Sequence, residues 1–158
     1  MKIKLLFIFL LIMQCKIFAQ TISKQNLEIV CKEQHCSIQK ADSILRNCGY
    51  IHFDTTTYDF GNVIEGKQAK HSFSFTNIGN KPLLLTNVRC PCGCLTDVWN
   101  TGEIVPSGNS SKVELFYSTQ GRIGKFVGGN CQGNANSYNS TFHLQVTGIV
   151  VALTTQKK

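Results

Sequence analysis

Cys90, Cys92 and Cys94 alternate in the stretch RCPCGCLTDVW, with Pro91 and Gly93 between them. Residues two apart on an extended strand share a face, so all three sulfurs would point one way. Such a trio would suit copper(I), zinc or another soft ion held by thiolates. It lacks, however, the C-x-x-C spacing of zinc knuckles and thioredoxin-like centres. The competing reading is structural: Pro91 and Gly93 bend the chain, and some of these thiols bond to Cys131 or to Cys31, Cys36 and Cys48. A direct Cys92–Cys94 bond would be strained, because extended positions two apart are separated by about 6.5 Å at Cα. In an exported chain disulfides are favoured. Metal binding by Cys90, Cys92 and Cys94 is the alternative, and thiol–disulfide catalysis ranks third for want of a nearby activating base.

The other candidate groups are weaker. His35 beside Cys36, with Cys31 and Cys48, would make a mixed Cys/His zinc site, but irregular spacing and a single histidine favour disulfide staples. His52, His71 and His143 fall in strand-like segments. His71 and His143 read as residues of polar, solvated faces. Asp59 precedes Phe60-Gly61 and reads as a turn former that accepts from its own backbone. Trp99, Tyr117 and Tyr138 are the aromatic side chains available to stack on a sugar or peptide, and Trp99 equally suits a core or rim. GKFVGGN lacks the following Lys-Ser/Thr and helix of a phosphate cradle. No nucleophile elbow, dinucleotide fingerprint or H-E-x-x-H pair is present. The chain therefore reads as non-enzymatic, with no cofactor.

The elements that must position these residues follow from composition and pattern. The first residues, MKIKLLFIFLLIMQCKIFAQ, combine Lys2 and Lys4, an apolar run from Leu5 to Met13, and Ala19 before a cleavage point. That is the build of a secretory signal peptide over residues 1–19. The run is too short for a spanning helix of about 20 residues. Cys15 follows Met13-Gln14, which does not fit a lipoprotein signal. No later stretch is long enough to span a membrane, so the expected product has no transmembrane segment and is periplasmic, cell-surface or extracellular. Losing Lys2, Lys4 and Lys16 lowers the formal charge from +7 to +4. The remaining cations, from Lys24 onward, are scattered and form no basic run or stripe, which argues against a nucleic-acid partner. Of the eight cysteines seven remain, an odd number, so at least one is not paired within the chain.

Residues 20–49 are polar, with loosely helical apolar spacing at Leu27, Val30, Ile38, Ala41 and Leu45. This segment cannot bury enough surface to fold alone, so it reads as an extension stapled by Cys31, Cys36 and Cys48. From Tyr50 the period becomes two. HSFSFTN, KVELFY and TFHLQVTG each alternate apolar and polar side chains, the mark of half-buried strands. NIGNKP, PSGNSS, TQGRIG and GGNCQGNANSYNS separate them as turns or loops. The expectation is an all-β domain over 50–153, an antiparallel β-sandwich of about seven strands. The strand cores fall at 50–55, 63–65, 69–77, 83–89, 112–117, 124–128 and 141–151, the last of them central. A polar tail occupies 154–158.

The ordered pieces Asp59-Phe60-Gly61, Phe73-x-Phe75-Thr76-Asn77-x-Gly79-Asn80, Pro82-Leu83, Cys92-Gly93-Cys94, Thr96, Trp99, Pro106-x-Gly108 and Gly124-x-Phe126 resemble the bacterial domain-of-unknown-function family 1573. The resemblance runs over roughly residues 50–150 and implies an exported immunoglobulin-like sandwich with no assigned activity. The chain departs from the family pattern where Leu95 follows the second cysteine, where Cys90 is added, and where VGGNCQGNANSYN replaces a regular strand ending near an asparagine. Because Cys90 and Cys131 both lie in departures, Cys131 is the expected mate of Cys90. Cα atoms more than about 7 Å apart would exclude that bond. The functional expectation is an exported, non-enzymatic envelope module with a structural or interaction role, whose partner is an unidentified envelope protein or polysaccharide. A soft-metal-binding protein is the alternative.

Overall fold

Two compact units divide between Arg46 and Asn47. The computed structural model describes residues 22–152, so the expected signal peptide and the 154–158 tail lie outside the described residues. Among the described residues no helix is long and apolar enough to cross a membrane.

The first unit is helical. Helix α1 runs Lys24–Gln34 and begins where the Ser23 hydroxyl accepts from the Gln25 amide at 3.2 Å. It ends at His35, whose left-handed backbone (φ 47°) lets the Cys36 amide donate to the Cys31 carbonyl. Helix α2, Ile38–Asn47, buries Ala41, Ile44 and Leu45 on one stripe and carries an Arg46–Asp42 ion pair at 2.7 Å across one turn. The stapling expected of Cys31, Cys36 and Cys48 is not formed: all three are free thiols. Cys31 and Cys36 flank the same helix cap and meet as hydrogen-bonded thiols, so a bond between them would only close a local loop. Burial, then the neighbouring Cys36, pushes the Cys31 thiol pKa up.

The second unit is a two-sheet sandwich. Its strands are β1 (Ile51–Phe53), β2 (Thr57–Ile64), β3 (Gln68–Asn77), β4 (Leu83–Arg89), β5 (Leu95–Val98), β6 (Ile104–Val105), β7 (Ser110–Ser118), β8 (Gly124–Ala135) and β9 (Thr141–Val151). One sheet has the order β1-β3-β7-β5 and the other β2-β9-β8-β4-β6. Inward side chains from both sheets make the core. Phe73, Val113, Leu115, Leu83, Leu144 and Val146 are fully buried, each contributing about 1.5–3 kcal/mol through removal from water. Tyr117 of one sheet stacks on Phe126 of the other, with centroids 3.8 Å apart.

Three sequence expectations change. Nine strands are described rather than seven, because β5 and β6 are too short to show a period of their own and exist by pairing, β5 with β7 and β6 with β4. The sandwich is not wholly antiparallel: β2 runs parallel to β9. The stretch read as a Gly-rich loop after residue 128 is strand, since β8 continues to Ala135. Glycine weakens an isolated strand. Here its lack of a side chain is what the packing requires, because a Cβ on Gly128 would meet Val146 and one on Gly133 would overlap the Phe142 ring. β9 lies between β2 and β8 and is paired along both edges.

Asn77, fully buried, ties the end of β3 to three neighbouring segments. Its Oδ1 accepts from the amides of Tyr50 (3.3 Å) and Gly79 (3.2 Å), and its Nδ2 donates to the carbonyls of Lys81 and Val105, both at 2.9 Å. Gly79 lies so close to the Cys48–Tyr50 backbone that no Cβ fits. Asn77 and Gly79 are both part of the motif by which the sequence resembles its family, and the role seen here is structural.

Candidate functional site

Two bonds divide the CPCGC cysteines. Cys90 is bonded to Cys131 with Cα atoms 4.2 Å apart, and Cys92 to Cys94 at 5.2 Å. The Cα separation in the second bond is shorter than the extended value because residues 91–94 turn rather than run straight, the Leu95 amide donating back to the Cys92 carbonyl. The three-thiolate soft-metal site read from their alternation is therefore not formed, since a disulfide sulfur is not a thiolate ligand. Among the described residues no group of three or more His, Cys, Asp and Glu side chains converges as a metal site.

What the bonds do is fix a surface. In β4 the inward residues Leu83, Leu85 and Val88 leave Asn87 and Arg89 facing out, a bulge between Leu85 and Asn87 resetting the alternation. In β8 Cys131, Gly133 and Ala135 point in, leaving Asn130, Gln132 and Asn134 on the opposite face. The register sets Arg89 opposite Gln132 and Asn87 opposite Asn134, and Cys90–Cys131 links the residues next to the first pair. The result is an open cleft of about 310 Å³ lined by Asn87, Arg89, Pro91, Asn130, Gln132 and Asn134. β9 extends the same polar face: His143 stands opposite Gln132, and Thr141 opposite Asn134, whose Oδ1 accepts from the Thr141 hydroxyl at 3.2 Å. Arg89 is exposed and pairs with no carboxylate among the described residues. The lining offers hydrogen-bond donors and acceptors and one permanent cation. It holds no hydroxyl or thiol nucleophile and no general base.

Sequence reading named Cys90 and Cys131 here but missed the cleft, treating Arg89 as one scattered cation and 128–140 as a loop. The signal was present in NCQGNA, whose polar Asn130, Gln132 and Asn134 alternate with Cys131, Gly133 and Ala135.

The remaining candidates take other places. His71 faces inward beside Phe73, not onto the polar side. The reason is parity, since it shares a face with Phe73 and Phe75. Its ring stacks on Tyr58 at 3.6 Å, its Nε2 is buried without a hydrogen-bond partner among the described residues, and burial lowers its pKa. His143 is exposed, and Asp59 accepts from the Gly61 amide at 2.9 Å, forming the turn at the β2 bulge. Tyr117 is core and unavailable for stacking on a ligand. Trp99 packs against the core, whereas Tyr138 is exposed and stacks on Tyr50. On the outer face of the other sheet, Glu114 accepts from Lys112, Lys70 and Ser72, which hold its carboxyl pKa down to about 2.

Comparison with known proteins agrees on the architecture. A Porphyromonas gingivalis W83 protein of unknown function superposes with a TM-score of 0.57 at 19% identity, over 65% of this chain and 47% of that one. The chain thus matches about half the length of that relative. The ASH/PapD-like domain 7 of human CEP192 gives 0.51 at 11% identity, over 65% of this chain and 86% of that one. The VesB protease of Vibrio cholerae also gives 0.51, at 13% identity, over 66% and 32%. At these identities the likeness is one of fold, a PapD-like, immunoglobulin-like sandwich. No curated protein matches the sequence. The sandwich, its motif residues and a match over residues 51–150 agree: the chain belongs to the family described as protein of unknown function (DUF1573).

Proposed function

We propose that this protein is an exported, non-enzymatic module of the bacterial cell envelope that works by binding, and that the Arg89 cleft is its binding face. The observation that carries the reading is the cleft itself: five side chains of hydrogen-bonding type on β4 and β8, with Pro91 beside them, where the Cys90–Cys131 disulfide links the end of β4 to β8. A surface with fixed donors and acceptors suits recognition, and a lining without nucleophile or base suits recognition rather than turnover. Export is supported by the signal-like start of the sequence and by disulfides, which persist in oxidising compartments.

The test has two parts. The full chain is produced in a bacterium and fractionated, and the mature N-terminus and disulfides are read by non-reducing peptide mass spectrometry. The reading expects cleavage near residue 19 and the Cys90–Cys131 link in an extracytoplasmic fraction. An uncleaved, reduced cytoplasmic protein overturns export. Solubilised envelope polysaccharide is then titrated into the ¹⁵N-labelled mature protein. Saturable shifts confined to the Asn87, Asn130, Gln132 and Asn134 side-chain amides support the binding face, and saturable shifts elsewhere overturn it.

A further inference from the structure

The cleft also restricts what its ligand can be. Arg89 is the only cationic side chain among the lining residues, and no described carboxylate neutralises it. A lone guanidinium presents a fork of donors and no acceptor, a geometry matched by the two oxygens of a carboxylate. One positive charge balances one negative charge. A phosphate dianion would be left half-compensated, and a metal cation would be repelled. Around the fork, Asn87, Asn130, Gln132 and Asn134 supply carboxamides, each both donor and acceptor, which is the requirement of neighbouring hydroxyls. These stand about 5 Å apart across the strands and about 7 Å apart along them, the span of one sugar ring and its substituents.

The backbone narrows the class further. β4 and β8 pair with each other at Asn87–Asn134 and Arg89–Gln132, so a ligand lying on this face of the sheet meets their side chains first. β8 is an interior strand, whereas β6 covers β4 only at Leu83 and Leu84, so a peptide added as a new strand beyond them is the competing outcome that the tripeptide arm below tests. Pro91 is the sole apolar lining residue, leaving no pocket for peptide side chains.

We propose that the cleft binds an acidic sugar, with the carboxylate of a uronic acid seated on Arg89 and its ring hydroxyls on the carboxamides of β4 and β8. The inference rests on the binding-face reading above and adds the ligand class. Cys90–Cys131 serves it by holding the Arg89–Gln132 row without bonding to the ligand.

The oxidised mature protein is titrated with galacturonate, galactose and an N-acetylated tripeptide with a free carboxyl end, following the side-chain amides and the Arg89 Nε–H by NMR. Galacturonate is expected to give saturable shifts at Arg89, Asn87, Gln132 and Asn134. Galactose is expected to bind at least about tenfold more weakly, and Arg89→Gln to lose a similar factor towards galacturonate. Arg89→Gln changes an exposed side chain, and an otherwise unchanged spectrum certifies its fold. Equal binding of galactose overturns the carboxylate while leaving the binding face standing. Binding of the tripeptide without galacturonate overturns the sugar. If none of the three moves these resonances, the acidic-sugar inference falls, while the binding face stands or falls by the polysaccharide titration above.

Discussion

Replacing Cys90 by alanine severs its bond to Cys131 while leaving the buried Cys131 side chain in the core. The bond spans 41 residues, and closing a loop of that length removes unfolded-state freedom equivalent to about 4 kcal/mol. Cys92–Cys94 spans only 2 residues, and the same relation assigns it about 1 kcal/mol. The two disulfides should therefore differ about threefold in their effect on stability. Urea unfolding at mildly acidic pH, which keeps the freed thiols protonated, measures both. Cys90→Ala is expected to lower the melting temperature by roughly 15 °C. Its m-value should rise, because the uncrosslinked unfolded chain exposes more surface. Adding Cys131→Ala should cost about 1 kcal/mol more for the core sulfur removed. The Cys92→Ala/Cys94→Ala double variant should change stability by about 1 kcal/mol with little change in m. Equal losses for the two bonds, or a Cys90→Ala variant within about 1 kcal/mol of the parent, would refute the reasoning. Stability would then reside in sandwich packing alone.

Further outcomes follow from single side chains. Asn77→Ala leaves the Tyr50 and Gly79 amides and the Lys81 and Val105 carbonyls without their partner, and should cost about 3–5 kcal/mol in chemical denaturation. Gly133→Ala, whose Cβ would overlap the Phe142 ring, should cost about 1–3 kcal/mol, and Phe142→Leu in the same chain should return part of that loss. The pKa of His71 lies below its ordinary value of 6.5 in the folded state, so the folded protein binds fewer protons than the unfolded one as pH falls past that value. Stability should decline there, and His71→Phe, which removes the unpartnered Nε2, should flatten that part of a stability–pH curve. For Glu114, held down to about 2 from 4.5, the stabilising contribution is present above pH 4.5 and is lost as pH falls towards 2; Glu114→Gln should remove this acid-side slope.

How much was legible depended on whether the evidence was local. Phe73 and Phe75 against Ser72 and Ser74, or Leu144 and Val146 against His143 and Gln145, mark inner and outer faces without reference to any other strand. The strand signals near 69–77, 83–89 and 141–151 correspond to β3, β4 and β9. β5 and β6 escaped because Leu95–Val98 and Ile104–Val105 are strands only by virtue of their neighbours. The strand signal at 124–128 caught only the start of β8; its continuation to Ala135 escaped because Gly128 and Gly133 oppose strand propensity locally, and it is Val146 and Phe142, distant in sequence, that leave room for nothing larger. His71 was misplaced by weighing its polarity above its parity with Phe73.

The candidate site marks the division most clearly. Period-two patterning, the signal-like first residues and the family motifs determined by themselves that the chain would build a sandwich and that its cysteines would matter, because each of these is carried by neighbours along the chain. Tertiary structure alone decided that Cys92 turns back to Cys94 and that Arg89 stands opposite Gln132 beside the Cys90–Cys131 link. It alone decided, too, that an asparagine-rich stretch becomes the wall of a cleft. The physical reason is register: a shift of one residue between β4 and β8 would send Arg89 to the core side, and that shift is forbidden by side chains packed from strands far away in sequence.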